Sequence, residues 1–248
     1  ESLYIKASCN ELYLDYPLLR DFTSQTLSKS IQIPPIIEQL GCIRYKGDFS
    51  GRLEDLNMKG VVTTPMGMLR VNGKLNSNTT LQNFNFQGQL LTESFCLGQL
   101  IDHTDLGNIA FQADVNGRIE SNQLVTATAK ADIHNFEYKG YQYHHIHLDG
   151  HLRPEEVNGK LSINDDNLRL NINGLADWSE EDTRLDVTMK FADFTPHTLH
   201  LIDTYPDLKL GATTYISLYT SGKPNEMLDN MTGYVIVDTL QIHNGEKH

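Results

Sequence analysis

The side chains with the clearest potential for chemistry lie in one short segment that contains His144, His145, His147, Asp149 and His151. Imidazole nitrogens and carboxylate oxygens are common ligands of zinc and other divalent ions. On a β-strand, residues 145, 147, 149 and 151 would share one face, with neighbours about 6 to 7 Å apart, which allows two imidazoles to bind one ion. The segment is therefore a candidate metal site.

The apolar residues of the same segment argue against that interpretation. Ile146, Leu148 and Leu152 occupy alternate positions of the strand, so they take the face that a core would cover. The histidines then lie on the opposite face, where water is available to them. We therefore expect a solvated polar face here and no metal site.

Three further motifs contain residue types that occur in functional sites, but none has the order or context that the function requires. In Gly47–Gly51 the serine is not central, as it is in a nucleophile elbow. Asp165–Asn167 lacks the alternating ligands and the glycine of a calcium loop. Tyr138, Tyr141 and Tyr143 can stack on sugars, but tyrosine is an ordinary strand residue. We expect no catalytic residue, no metal and no cofactor.

Composition disfavours several classes of function. The chain has 248 residues, of which 39% are hydrophobic, and a formal net charge of −12, which suits a folded, acidic protein. Such a charge disfavours partners bound through phosphates, so we expect no nucleic acid. No apolar run approaches the roughly 20 residues of a membrane-spanning helix, and the first residues lack the features of a signal peptide. Any anchor or export signal is expected outside this fragment.

A pentapeptide recurs three times with a period of about 43 residues, at Val71–Leu75, Val115–Ile119 and Val157–Leu161. Its pattern is valine, asparagine, glycine, a basic residue, and leucine or isoleucine. Alternation of apolar and polar residues about a glycine is typical of strands rather than of a catalytic loop. The chain is therefore expected to repeat a unit of a few strands.

The region from Tyr45 to Phe191 alternates apolar and polar residues almost throughout, with glycine and asparagine at the expected turns. Strands with one apolar and one polar side favour antiparallel pairing. Fifteen apolar positions are expected to line a shared groove and to contact lipid. They are Leu69, Val71, Phe84, Phe86, Leu90, Ile109, Phe111, Val115, Leu168, Leu170, Ile172, Leu185, Val187, Met189 and Phe191.

Helix signals are confined to a few places. Asp15 can cap a helix that has Pro17 in its first turn, and Pro35–Leu40 predicts a second helix that ends at Gly41. A further short helix is expected around residues 196–203, where a threonine and a proline provide a start signal.

These patterns divide the chain into three expected regions. Residues 1–44 form a helix-containing segment packed on the sheet, 45–192 a repetitive β-groove, and 193–248 a short helix with further strands. No amphipathic helix is available to cover the apolar face of the central region, so the sheet must cover itself or hold a guest. We predict a mainly-β fold, a long curved antiparallel sheet folded into an elongated hydrophobic groove. A β-sandwich is the alternative.

Several short motifs are informative because of the order in which they occur. They are Leu40–Gly51, Val62–Leu69, Phe95–Leu100, Leu106–Ile109, Phe136–Tyr143, Ile146–Gly150 and Gly159–Asp165. Their succession resembles the AsmA-like, TamB-type family of bacterial envelope proteins, the translocation and assembly module, and is closest to Bacteroidetes-like forms. The resemblance extends over most of the chain, which would be an interior fragment of such a protein.

The resemblance implies a β-groove in the periplasm, anchored in the inner membrane by a segment outside this fragment. It implies phospholipid transport between the membranes, or assembly of outer-membrane proteins with a TamA-type barrel that binds parts outside this fragment. No catalytic residues are known for the family. The resemblance therefore implies a role only for the groove-facing positions, and it implies that role for them as a group.

Two classes of function fit these expectations. The first is a non-enzymatic envelope protein whose apolar groove shields lipid acyl chains, or a client strand, from water. The second is an extracytoplasmic β-sandwich that acts as a binding module, for example for glycans. A fully packed interior would favour the second class, whereas a continuous open apolar channel would favour the first.

Overall fold

The structure is a computed structural model that describes residues 4–15, 17, 38–52, 54–78, 83–120, 123–179, 182–221 and 231–245. The helix predicted after Asp15 and most of the helix predicted at Pro35–Leu40 lie outside the described residues. The end of the second helix is described. The Gly41 amide donates a hydrogen bond to the Glu38 carbonyl oxygen at 3.1 Å, and Gly41 has a φ of +67°. Glycine thus takes the left-handed position expected after a last helical turn.

The described residues form thirteen β-strands, and a short helix lies between two of them. The strands are β1 (Tyr4–Leu14), β2 (Ile43–Arg52), β3 (Asp55–Thr64), β4 (Gly67–Ser77), β5 (Asn83–Cys96), β6 (Leu106–Glu120), β7 (Gln123–Tyr138), β8 (Tyr141–Arg153), β9 (Glu156–Asp165), β10 (Leu168–Asp177), β11 (Asp182–Phe194), β12 (Leu208–Ser221) and β13 (Met231–Asn244). The helix α1 (Leu97–Ile101) connects β5 to β6.

The strands follow chain order in one open antiparallel sheet. Neighbouring antiparallel strands need only short connections, which is why turn residues at short intervals in the sequence are sufficient to build it. The prediction of a mainly-β, antiparallel fold is confirmed. The sandwich alternative requires two sheets, whereas the strands in the described part of the chain belong to one.

Two compact units, Glu1–Ala127 and Thr128–His248, divide the chain within β7. We call them unit 1 and unit 2. The predicted limits at residues 44 and 192 stay predictions. None of the described helical residues belongs to a helix with the length and apolar character needed to cross a membrane.

The strand β1 is absent from the sequence prediction, which assigns strands only from Tyr45 onward. It pairs with β2, with Ala7 opposite Phe49 and Leu12 opposite Tyr45. Most of its side chains are exposed on both faces, so its sequence lacks the one-sided alternation that identifies the other strands. Backbone pairing with β2, rather than a buried face, holds this strand in place.

The short helix predicted around residues 196–203 is wrong, because this segment forms successive turns. Only the Leu199 amide makes an α-helical hydrogen bond, to the Thr195 carbonyl oxygen at 3.1 Å. His200 then adopts a left-handed φ of +58°, which ends the turn. The start signal is present in the sequence, but the segment forms turns from which Leu199 packs into a buried cluster.

Candidate functional site

The predicted lining residues of unit 1 lie on one face of its sheet. Directly opposite residues of neighbouring antiparallel strands point to the same side. Val71 is opposite Leu90 and Leu90 is opposite Ala113, so β4, β5 and β6 contribute to one row. Three such rows are Gly47, Gly60, Val71, Leu90 and Ala113; Phe49, Met58, Gly73, Gly88 and Val115; and Gly51, Leu56, Leu75, Phe86 and Gly117. We call this surface the apolar face of unit 1.

The other unit 1 candidates extend the same face beyond these rows. Leu69 lies opposite Val62, Phe84 opposite Ile119, Phe111 opposite Thr92, and Ile109 opposite Phe95. All eight candidates of this unit are half-buried, whereas the intervening Arg70, Asn72, Asn85, Gln87, Gln89, Gln112 and Asp114 are exposed. The structure therefore brings these eight residues together on a surface that side chains of the unit cover only in part.

The repeated pentapeptide places its glycine on the apolar face. In Val71–Leu75, the first, third and fifth residues face the apolar side, and Asn72 and Lys74 face the polar side. Gly73 is opposite Gly88, where a Cβ atom would lie 2.7 Å from the Gly73 Cα atom. Real Cβ contacts are essentially never shorter than 3.0 Å, so glycine permits a close backbone approach here.

The unit 2 candidates also share one face, which continues over β8 to β13. Four rows of opposite residues cross these strands. They are Ile146, Ile163, Leu170, Phe191, Ala212 and Leu240; Leu148, Leu161, Ile172, Met189, Thr214 and Val237; Gly150, Gly159, Gly174, Val187, Ile216 and Val235; and Leu152, Val157, Ala176, Leu185, Leu218 and Gly233. We call this surface the apolar face of unit 2.

The third of these rows contains three successive glycines, Gly150, Gly159 and Gly174. A Cβ atom on Gly159 would lie 2.7 Å from the Asp149 carbonyl oxygen, whereas one on Gly150 would meet nothing within 4 Å. On β8, β9 and β10, this row is therefore a strip without side chains, and the rows on either side of it carry apolar side chains. Sequence analysis missed this strip because the alignment of glycines depends on strand register.

One end of the unit 2 face is covered by the connection between β11 and β12. Leu199 of this connection is fully buried and packs against Tyr143, Ile146 and Leu168, which form a buried cluster with it. Ile146 is 4% exposed, whereas Leu148, two residues further along the same face, is 38% exposed. Along β8, burial therefore falls steeply with distance from the covering connection.

A network of hydrogen bonds fixes this end of unit 2. The Asp165 carboxylate accepts hydrogen bonds from the Tyr141 hydroxyl and from the His144 and Asn167 amides, the last two at 3.0 Å. The Asn167 side-chain amide donates to the Tyr141 hydroxyl at 3.1 Å, and its oxygen accepts from the Thr195 hydroxyl at 3.1 Å. Since Asp165 is buried, these donors compensate the loss of water around its carboxylate.

The tyrosines beneath this network are held in their neutral form. Burial raises the pKa of Tyr143 to about 12, with further contributions from the charges of Tyr141 and Asp165. Burial also raises the pKa of Tyr141, and its hydrogen bond to Asp165 acts in the same direction. Neither phenol is poised to exchange a proton near neutral pH, so Tyr143 contributes packing and Tyr141 contributes packing and its hydrogen bond to Asp165.

β13, the last strand of unit 2, is far more exposed. Six apolar residues of β13 are each more than half exposed to solvent, namely Tyr234, Val235, Ile236, Val237, Leu240 and Ile242. Tyr215 of β12 stacks near Tyr234, with ring centroids 5.9 Å apart. Both faces of β13 are therefore apolar in part, which sequence alternation alone did not indicate.

The polar face of unit 1 contains a hollow of about 920 Å³. Two rows of opposite side chains border it, Asp48, Lys59, Asn72, Gln89 and Asp114, and Ser50, Asn57, Lys74, Gln87 and Asn116. Gly73 and Gly88 lie between the two rows and contribute to its floor. Six carboxamides, which both donate and accept hydrogen bonds, contribute to this lining beside five charged side chains.

The histidine segment does not assemble a metal site among the residues that the structure describes. His145 has a φ of +52°, and Tyr143 and Ile146 are both buried although they are three residues apart. This bulge interrupts the regular alternation at His145. The expected common face of His145 and His147 stays a prediction. His147 pairs with Asp132 on the exposed polar face.

Comparisons with protein-family models, with curated proteins and with solved structures found no match to this chain. The resemblance to AsmA-like, TamB-type proteins therefore stays a prediction. In each unit, the structure has an apolar sheet face that is only partly covered.

Proposed function

We propose that this chain is a non-enzymatic part of a cell-envelope protein, in the periplasm, whose apolar face shields lipid acyl chains in transit between the inner and outer membranes. The same face would serve outer-membrane protein assembly if the guest is a client strand instead. The observation that carries the proposal is the half-burial of all eight candidate residues on the apolar face of unit 1. That this face forms a groove is part of the same proposal.

Moving an acyl chain through water is energetically costly. Each exposed methylene costs about 0.8 kcal/mol, so a lipid tail seldom leaves a bilayer unless an apolar surface receives it. Rows such as Val71, Leu90 and Ala113 offer that surface across several strands. No reacting group is needed for this role, since the lipid is not chemically changed.

Site-specific photo-crosslinking in the intact protein in cells tests the proposal. A photoreactive residue at Phe86 or Phe111 is expected to capture phospholipid. The same residue at Gln87 or Gln112 is expected to capture little, because neighbouring strand residues point to opposite faces. Capture at neither apolar position, with full expression of the protein, would contradict the proposed function.

The polar hollow of unit 1 supports a second candidate, a binding module for neutral polyhydroxylated ligands such as glycans. The carboxamides in its lining, among them Gln87, Gln89 and Asn72, match the hydrogen-bonding capacity of sugar hydroxyls. Calorimetric titration with neutral oligosaccharides tests this candidate. Binding that is lost in Gln87→Ala and retained in Phe86→Ala would favour it over acyl-chain shielding.

A further inference from the structure

We propose that Leu199 is an end stop that limits how far a bound acyl chain can extend over the apolar face of unit 2. The inference rests on the proposed function, because it concerns where the guest lies. Leu199 is not one of the fifteen predicted lining positions. In this proposal it sets the length of the binding surface.

The first support is the place that the Leu199 side chain occupies. It is fully buried against Ile146 and Leu168, two residues of the apolar face, and Leu170 and Phe191 pack against the same cluster. Leu170 and Phe191 are cross-strand partners in the row that begins at Ile146. A guest chain could not contact Ile146 or Leu168, or the side of Leu170 that packs here, without displacing Leu199.

The second support is the anchoring of the segment on both sides of Leu199. On one side, the Thr195 amide and hydroxyl donate to the Asn167 carbonyl oxygen at 3.2 Å and to its side-chain oxygen at 3.1 Å. On the other side, the His200 imidazole Nδ1 lies 2.8 Å from the Lys139 carbonyl oxygen. These contacts connect the segment to the turns at the ends of β7 and β9, so Leu199 is held against the face.

Side chains in neighbouring rows of the face differ in exposure to solvent. Leu148, in the next row, is 38% exposed, although it is of the same apolar type and lies on the same strand as the buried Ile146. On β8, the covering effect of Leu199 therefore ends between Ile146 and Leu148. Beyond it, Leu148 and Leu152 leave apolar surface accessible.

Photo-crosslinking of palmitic acid to the purified chain tests the end stop. A small aliphatic diazirine residue is placed at Leu170 in one series and at Phe86 in another. In the otherwise unchanged protein, we expect capture at Phe86 and only background at Leu170. Leu199→Ala should raise capture at Leu170 several-fold and leave capture at Phe86 unchanged. Ile202→Ala, in the same segment but outside the cluster, is the matched control and should change neither.

A second variant keeps the test decisive if Leu199→Ala unfolds unit 2. Thr195→Val with His200→Ala removes side-chain anchors and keeps Leu199, and it should also raise capture at Leu170 several-fold. Capture at Leu170 in the unchanged protein, or no increase in either variant, would overturn the end stop while the proposed function stands. Absence of capture at Phe86 in the unchanged protein would contradict the proposed function and this inference with it.

Discussion

Units 1 and 2 have the same kind of one-sided antiparallel strands, but they differ in how their apolar faces are covered. In unit 2, the connection between β11 and β12 places Leu199 on the face and buries Ile146. In unit 1, the connection between β5 and β6 forms α1, whose Ile101 is 50% exposed. Strand alternation thus creates an apolar face in both units, and the longer connections determine how much of it meets water.

The largest expected effect tests whether unit 2 has the tighter core. Leu199→Ala should lower the free energy of unfolding by about 3 to 5 kcal/mol, because a fully buried leucine leaves a cavity when truncated. Leu90→Ala, in the half-buried face of unit 1, should cost less than half as much. Urea unfolding followed by circular dichroism measures both. Equal losses would show that the two faces are equally packed.

A charge placed on either side of unit 1 tests which face is apolar. Phe111→Asp should destabilise the protein by about 2 kcal/mol, since a half-buried carboxylate lacks a partner there. Gln112→Asp, one residue away on the polar face, should stay within about 0.5 kcal/mol of the unchanged protein. Similar melting temperatures for the two variants would contradict the assigned faces.

An alkaline titration tests the burial of Tyr143 at the covered end of unit 2. The pKa of Tyr143 is raised from 10.0 to about 12, so the stability that its protonated phenol supplies is complete below pH 10 and is lost as the pH rises through 12. Ultraviolet absorbance should show a late tyrosinate transition that disappears in Tyr143→Phe. A Tyr143 transition near 10 would show that this end is open to water.

The smallest effect is expected on the polar face of unit 2. His147→Ala removes an exposed pair with Asp132 and should change the free energy of unfolding by no more than about 0.5 kcal/mol. Calorimetric titration with zinc should give no tight stoichiometric binding before or after the change. A submicromolar site that is lost in the variant would restore the metal-site interpretation.

The faces of the strands could be predicted from sequence because alternation is a local property. Each of the fifteen predicted positions lies on the apolar side of its strand, and in the pentapeptide Val71–Leu75 the glycine faces the same way as its valine and leucine. Residues two apart on a strand must share a face, whatever the strand pairs with.

The coverage of those faces could not be predicted, because it depends on contacts between residues distant in the chain. Leu199 lies in a segment with a helical start signal, and its burial depends on Tyr143 and Leu168 in other strands. The bulge at His145 and the alignment of Gly150 with Gly159 likewise depend on strand register. β1 has no one-sided pattern for sequence analysis to detect.

The proposed function requires that an acyl chain binds the apolar face of unit 1 and not its polar face. Methyl NMR of the purified chain with a spin-labelled fatty acid tests it with matched residue types. Val71 and Leu90 lie opposite each other on the apolar face, whereas Val61 and Leu91 each lie opposite Arg70 on the polar face. We expect the spin label to broaden the methyl signals of Val71 and Leu90 much more strongly than those of Val61 and Leu91. Equal broadening of all four, or broadening of none, would contradict it.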